Sequence, residues 1–419
     1  MGTTTTAETP SSYPPLSRNR NYILLWSSQT LSELGASASI IAFPLLVLAI
    51  SGSAVAAGLV GFANGAARFA TGVLAGALVD RWDRKKVLVT CEVSRAIAFI
   101  GLVIAIATDH ASVPVILFVA LIEGMFATLF APAEEATLPR LVSEQQLPPA
   151  VAGIAARAYL GATVGPALGG FLFGINRIFP FVADAISYVV STVAVLFIRV
   201  PPREKTKKPL RSILPETRVG LAWVWKQPKI RATFFSQVGI SFVFAALFFV
   251  VIVVANAKGV PAGEVGLIAT MLGVGGLAGA FVASPLQAKL GPYRSIVALT
   301  WLSGVLIPLI AVVPAGYWYG VLLGVMAFLT PTATSSVQSY QMLSTPDELR
   351  GRLSGTAHLF GGVGQSLGPL AGGLVVAVDP TLAVLACAAI MLVIATSVTV
   401  SPSLRDLPKV LAARELDGN

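Results

Sequence analysis

Long apolar runs separated by short polar breaks dominate this chain. Scanning for stretches near the ~20 residues needed to cross ~30 Å of hydrocarbon yields twelve candidate spans. They cover 22–49, 55–79, 87–107, 113–133, 150–173, 179–199, 231–256, 264–288, 295–313, 317–341, 353–377 and 381–400. The pattern predicts an all-α membrane protein of twelve transmembrane helices.

Composition agrees: of 419 residues, 55% are hydrophobic and 12% charged, with mean hydropathy +0.80. An average soluble domain carries roughly 25% charged residues, so a water-soluble fold is excluded. Cys91 and Cys387 both fall inside predicted spans, which argues against a disulfide or a zinc site. The start, "MGTTTTAETPSSYPPLSRNR", lacks the basic and apolar regions of a cleavable signal. Residues 1–19 are expected to form a disordered tail. A formal myristoylation match in "MGTTTT" adds nothing to a chain anchored by twelve spans.

The net charge of +9 reports topology. Twenty-four of the 29 Lys and Arg residues fall in one alternate set of loops, and the opposite set holds Arg177 and Lys258. By the positive-inside rule both termini face the cytoplasm, which independently supports an even number of spans. The basic residues need no nucleic-acid partner to explain them. Residues 200–229, "VPPREKTKKPLRSILPETRVGLAWVWKQPK", are the one long charged interruption. They divide a first six-helix bundle, 20–199, from a second, 230–400, followed by a cytoplasmic tail at 401–419. Trp223 and Trp225 beside cationic residues predict an interfacial helix within this linker.

"GATVGPALGG" at 161–170 returns as "GQSLGPLAGG" at 364–373, displaced by 203 positions. Both follow G-x-x-x-G-P-x-x-G-G. Upstream, "SEQQLPPAVAG" at 143–153 parallels "TPDELRGRLSG" at 345–355. One copy lies in the fifth span and the other in the eleventh, so the halves are parallel repeats, the arrangement of a two-bundle secondary transporter with its substrate site near the midplane. A phosphate loop would need Lys and Ser or Thr after its last glycine, but Phe171 and Leu172 follow. A second glycine-rich run, "GVGGLA" at 273–278, is also embedded in an apolar span. Gly161, Gly165 and Gly169, like Gly364, Gly368 and Gly372, form stripes at four-residue spacing where a neighbouring helix can approach closely. Gly170 and Gly373 end the two motifs. Pro166 and Pro369 each remove a backbone hydrogen bond, so bends are expected there.

Over residues 18–400 the chain resembles the major facilitator superfamily. "GALVDRWDRKK" at 76–86 is similar to its signature loop between spans two and three, with Gly76, Asp80, Arg81, Arg84 and Lys85 on matching positions. The resemblance implies a cytoplasmic gate there. "GATVGPALGG" resembles the fifth-span motif of proton-driven exporters. "FAPAEEATLPRLVSEQQLP" and "FPFVADAISYVVS" look like the subgroup containing macrolide efflux pumps and the enterobactin exporter. The chain departs from the family pattern at Ala288, where the second signature loop would carry its aspartate. It departs again at Ala120, where many drug antiporters carry an arginine, and at Ala36, where the subgroup often carries an acidic residue.

Ionisable residues in the spans are functional candidates by default, because a mid-helix charge costs roughly 2.5–3.5 kcal/mol on insertion scales. Glu33, Arg68 and Glu123 lie near the midplane and Asp184 nearer a surface. These four are the candidates for proton coupling, since a buried carboxylate near an arginine can be tuned to bind and release protons. A static ion pair of Glu33 or Glu123 with Arg68 is the alternative. Glu92 and Arg95, three residues apart, read as a structural pair, and Arg157 as a snorkelling side chain. Phe43, Asn64, Gln237, Phe244, Trp301, Gln338, Tyr340, Gln341 and His358 are candidates for lining an amphiphile cavity.

These readings converge on a monomeric, multi-pass transporter of the cell membrane. It would use the proton gradient, with no cofactor or metal, to expel a small amphipathic molecule such as an antibiotic, siderophore or other secondary metabolite by alternating access. Its partners would be that substrate, protons and membrane lipids. An importer or facilitator on the same fold, or a receptor or lipid-handling scaffold, are the alternatives. No catalytic triad, metal-ligand cluster or Walker motif is legible.

Overall fold

The computed structural model describes residues 14–79, 81–199 and 222–405. Helices make up its regular structure, and no strand occurs among the described residues. In the first half these are α1 (Arg20–Ser51), α2 (Ala54–Val79), α3 (Arg84–Ala107), α4 (Val113–Thr137), α5 (Leu147–Ile175) and α6 (Phe179–Phe197). The second half contains α7 (Pro228–Ala257), α8 (Ala262–Leu306), the short α9 (Leu309–Val312), α10 (Tyr317–Phe328), α11 (Thr330–Leu343), α12 (Asp347–Val376) and α13 (Pro380–Val400).

Among the described residues nine helical segments are long and apolar enough to cross a membrane. One of them, Ala262–Val312, holds two of the predicted spans. Its 45-residue helix α8 would be ~67 Å long at 1.5 Å per residue, twice the ~30 Å hydrocarbon core. It is broken at Gly291, where φ 68° and ψ 175° end one helix and start the next. Helices α10 and α11 together form the tenth span. With α2 and α12, twelve spans result.

Local chemistry sets the ends. The Asn19 side chain accepts from the Tyr22 N–H to cap α1, which stops at Gly52 in the left-handed region, the usual glycine terminator. Asp83 caps α3 by accepting from the Lys86 N–H at 3.0 Å, and Asp379 caps α13 through the Leu382 N–H at 2.6 Å. Proline occupies the first turn of α4, α5, α6, α7 and α13, where its missing N–H costs nothing. Of the linker, residues 222–226 are described as helical. Val224 is buried there beside Ile230, Phe234 and Leu404, while Trp225 is exposed and meets Phe235 edge to face. Linker residues 200–221 and tail residues 1–13 and 406–419 lie outside the described residues. Within the tail expected to be disordered, Leu16–Arg18 form a 3-10 turn and buried Asn19 donates to the Leu141 carbonyl, which ties these residues to the bundle.

Two bundles result. Helix α1 packs on α5 and α6, α3 on α4 and α6, and α2 on α4; in the second half α7 packs on α12, and α8 on α10, α11 and α13. The bundles meet along two seams, α2 against α12 and α5 against α8. Because the number of spans is even, the starts of α1 and α7 and the end of α13 lie at one end, here the termini end.

The repeated glycine motif builds both seams. Gly161, Gly165 and Gly169 press on Glu33, Ser37 and Ala38 of α1, while Gly364, Gly368 and Gly372 press on Val238, Phe242 and Ala246 of α7. On the other face of the same helices, Gly170 meets Ala262 and Gly266 of α8, and Gly373 meets Ala54 and Gly58 of α2. The carbonyls of Pro166 and Pro369 face Gly266 and Gly58 in the same way. Helices α5 and α12 run through these prolines without interruption. Each motif therefore ties its helix to the first helix of its own bundle and to the opposite bundle. Among the described glycines, those in closest contact across the seams lie toward the end distal to the termini, from Gly58 to Gly65 on α2 and from Gly266 to Gly273 on α8. Gly276, one turn nearer the termini end, has nothing close to it.

Candidate functional site

Between the bundles lies a cavity of about 920 Å³. Its wall from the first bundle carries the charges, with Glu33, Ser37 and Ser39 of α1, Asn64 and Arg68 of α2, Glu123 of α4, and Tyr159 and Thr163 of α5 set among apolar residues such as Ile40, Phe43 and Val60. The facing wall is mostly apolar, built from Ile240, Phe244, Phe248, Phe249 and Ile252 of α7 with Leu272 and Leu277 of α8, and dotted with Thr233, Ser236, Gln237 and Gln365. No Asp, Glu, Lys or Arg of the second bundle lines it among the described residues. Along α7 the cavity lining runs from Thr233 to Ile252, and toward the distal end it includes the seam residues Gly61, Pro166 and Pro369.

Glu123 lies at the back of the polar wall. Arg95 of α3 holds it by two hydrogen bonds of 2.8 Å, from Nε to Oε2 and from Nη2 to Oε1. The Tyr188 hydroxyl of α6 donates to Glu123 Oε2 at 3.0 Å and accepts from Arg95 Nη2 at 2.7 Å. The Arg95 guanidinium also lies 4.0 Å from the centre of the Tyr188 ring. Arg68 reaches Glu123 at 3.9 Å from the cavity side, with its own side chain 48% exposed. Asn64 orients Arg68, accepting from its Nε at 3.0 Å while donating to the Ala120 carbonyl at 2.9 Å. Removing one member of a charge pair buried this way leaves the other uncompensated and destabilises the fold by about 3–5 kcal/mol.

Glu33 occupies the same wall in a different state. Among the described residues it has no hydrogen bond and no cation within ion-pair distance, and its Cγ packs against Gly161. Asp184 lies behind the cavity, fully buried, where it accepts from Ser39 Oγ at 2.6 Å and from Ser187 at 3.4 Å. The structure thus brings Arg68 and Glu123 together, places Glu33 on the same cavity, and keeps Asp184 in the α1–α6 interface.

Other expected residues distribute unevenly. Phe43, Asn64, Gln237 and Phe244 line the cavity, and Gln237 Oε1 has no partner among the described residues. Trp301, Gln338, Tyr340 and Gln341 do not. Trp301 is partly exposed and donates to Thr399 Oγ1 at 2.9 Å, Gln338 is exposed, Tyr340 is buried with Phe234 and Val337, and Gln341 donates to Thr233 Oγ1 at 2.9 Å. Their helices are turned so that these positions face other neighbours, a rotation that near-uniform hydropathy conceals. His358 falls in α12, and its side chain lies outside the described residues. Arg157 does not snorkel: it is buried and holds Glu134 of α4 by two hydrogen bonds of 2.8 and 2.6 Å.

At the termini end, Arg84 donates to the Ala136 carbonyl and Lys85 Nζ to the Leu196 carbonyl at 2.7 Å. Both cations sit at the C-terminal ends of helices, where positive charge is favoured. Arg81 is also partnered, Gly76 has open space around it, and Asp80 lies outside the described residues.

Sequence reading missed the centrality of Arg95. Glu92 and Arg95 do approach, at 3.7 Å, but the tighter partner of Arg95 lies 28 positions away on α4. The polar series Ser28, Gln29, Ser32, Glu33, Ser37 and Ser39 on α1 was the available signal that this helix faces a charged interior.

Twelve spans in two repeats around a midplane cavity, with seams on both sides, define a transporter of the major facilitator class. The chain matches the family model described as transmembrane secretion effector over residues 10–415, and it belongs to that family. It is 26% identical over 348 residues to the enterobactin exporter EntS of Shigella boydii, covering 79% of this chain and 82% of that protein. The EntS of Escherichia coli O1:K1 is 25% identical over the same length. Among solved structures, a bacterial homologue of the human lysosomal transporter Spinster, inward-facing and unoccupied, superposes with TM-score 0.71 at 15% identity, covering 94% of this chain and 98% of that one. A bacterial homologue of the iron transporter ferroportin, inward-facing, superposes with TM-score 0.69 at 15% identity, covering 92% and 99%. The protein is therefore a multi-pass membrane transporter of small molecules.

Proposed function

We propose that this protein exports a small amphipathic molecule in exchange for protons, by alternating access around the central cavity. The observation that carries this reading is the placement of Glu123, a carboxylate that borders the cavity on one side and is held by buried Arg95 on the other. Such a group can report its protonation state to the surrounding helices. Glu33, unpartnered on the same wall, is a second site for a transported proton, and Asp184 a third carboxylate in the same bundle.

The two walls divide the work. A polar or charged substrate end would lie against Arg68, Asn64 and Glu33, and an apolar body against the Phe244, Phe248 and Phe249 face, with Gln237 Oε1 offering an acceptor. This fits the apolar-with-few-polar-groups character of small-molecule sites, and similarity to an enterobactin exporter supports a secondary metabolite as cargo. If the basic loops place both termini in the cytoplasm, the closed seams are on the outer side and the cavity is in its inward-facing form. Rocking of the bundles would open the glycine seams outward while the signature loop, with Asp80, Arg81, Arg84 and Lys85, closes the inner side. The protein would act as a monomer, since a single chain encloses the whole cavity.

The test is reconstitution of the full chain in proteoliposomes with an imposed pH gradient. Export of a fluorescent amphiphile or a catecholate siderophore should depend on the gradient and collapse with a protonophore. Gradient-independent flux of the same compounds would point to a facilitator instead.

A further inference from the structure

Glu92 has no role in the cavity, yet its surroundings are unusual. It is fully buried on α3. Its Oε1 accepts from Gln29 Nε2 at 3.1 Å and lies 3.7 Å from Arg95 Nη1, whereas its Oε2 has no hydrogen-bond partner. Gln29 is itself steered, donating to Ser191 Oγ at 2.6 Å. A buried carboxylate oxygen without a partner is costly, and here the costly atom belongs to a residue already beside a guanidinium.

The charges around Arg95 come from every neighbouring helix. Glu92 shares α3, Glu123 approaches from α4, and Tyr188 and Asp184 come from α6. On the cavity side stand Arg68 of α2 and Glu33 of α1. Of these, Glu123 holds Arg95 by two points, Glu92 by one long contact, and Asp184 is bonded to Ser39 and Ser187 instead. When Glu123 is neutralised, Arg95 needs another counter-ion, because a buried charge without one is strongly disfavoured.

We propose that Glu92 is the reserve counter-ion of Arg95: when Glu123 takes a proton from the cavity, the guanidinium shifts onto the unpartnered Glu92 Oε2, and it returns when the proton leaves. This rests on the proposed proton coupling and adds a residue to it. A hydronium in the cavity water gives its proton to a Glu123 carboxylate oxygen: one hydronium O–H bond breaks, the carboxyl O–H bond forms, and water is left. Arg95 stays protonated throughout, and Glu92 stays ionised. The two-point hold on α4 is thereby exchanged for a contact within α3, which frees α4 from α3 at mid-depth. Glu92 is a positioning residue that sets how readily Glu123 accepts its proton.

Infrared difference spectroscopy of the purified full chain, titrated between about pH 5 and pH 8, reads the exchange directly, since carboxyl bands can be assigned by Glu→Gln substitution. In the wild type the Glu123 carboxyl band, absent in Glu123→Gln, should grow as pH falls while Glu92 contributes none. In Glu92→Gln the Glu123 band should need about one pH unit more acid, a tenfold loss of proton affinity, and Glu92→Asp should restore much of it. Nitrogen-15 resonances of the Arg95 guanidinium, assigned with Arg95→Lys, should shift at the same pH as the Glu123 band and cover the case in which Glu92→Gln does not fold. A Glu92 carboxyl band already present when Glu123 is ionised, an Arg95 resonance indifferent to Glu123 protonation, or an unchanged midpoint in folded Glu92→Gln would each overturn the proposal. Gradient-driven export with such an unchanged midpoint would remove only the reserve role. Gradient-independent export with the exchange intact would remove only the proton-coupled function.

Discussion

Gly170 of α5 and Gly266 of α8 face each other across the boundary between the bundles so closely that neither position has room for a β-carbon. On the opposite seam Gly373 and Gly58 stand in the same relation. The contact on each side is backbone against backbone, with small residues replacing side-chain locks.

A branched side chain at Gly266 should therefore hold the distal seam apart. In Gly266→Val the distance between spin labels at Ile175 and Ala257, exposed distal positions flanking the α5–α8 seam, should lengthen relative to the wild type. Transport should fall by about tenfold or more, equivalent to at least about 1.4 kcal/mol against the closed seam. An unchanged distance distribution would show that the seam tolerates a side chain.

Arg157 and Glu134 should behave as a structural pair. Arg157→Met strands a buried carboxylate and should lower stability by about 3–5 kcal/mol, whereas Arg157→Met with Glu134→Met should recover most of it. Thermal unfolding of the two variants in detergent checks this. Equal melting temperatures would mean that the pair contributes no coupling.

Glu33 and Glu123 should separate by readout. Glu33→Gln loses no partner, so its melting temperature should stay near that of the wild type while proton-driven transport falls. Glu123→Gln weakens the hold on Arg95 and should lower both. Undiminished gradient-driven transport in both variants would remove these carboxylates from the coupling scheme.

Residues on and off the cavity should differ in what they affect. Phe244→Ala and Gln237→Ala should raise KM for the transported compound with little change in stability. Gln341→Ala removes the bond to Thr233 and should cost about 1 kcal/mol without changing substrate preference. A change of substrate preference in Gln341→Ala would show that the cavity extends beyond its present wall in another state.

Much of the architecture was legible in the chain itself. Apolar runs of membrane length define the spans because the hydrocarbon core sets a length that sequence can count, and the G-x-x-x-G-P-x-x-G-G repeat at 161–170 and 364–373 reveals two equivalent halves. Its glycines could be read as faces of close approach, since four-residue spacing puts them on one side of a helix.

Which charges meet was decided only by the tertiary structure. Helices such as α7 and α13 are apolar nearly all round, so their sequences carry little record of their rotation about their own axes, and rotation determines that Glu123 meets Arg95 while Gln341 meets Thr233. The same rotation takes Tyr340 and Trp301 off the cavity and leaves Phe244 and Gln237 on it. Hydropathy records depth in the membrane, one coordinate of three. The other two, the rotation of each helix and its neighbours, come from packing among side chains far apart in sequence.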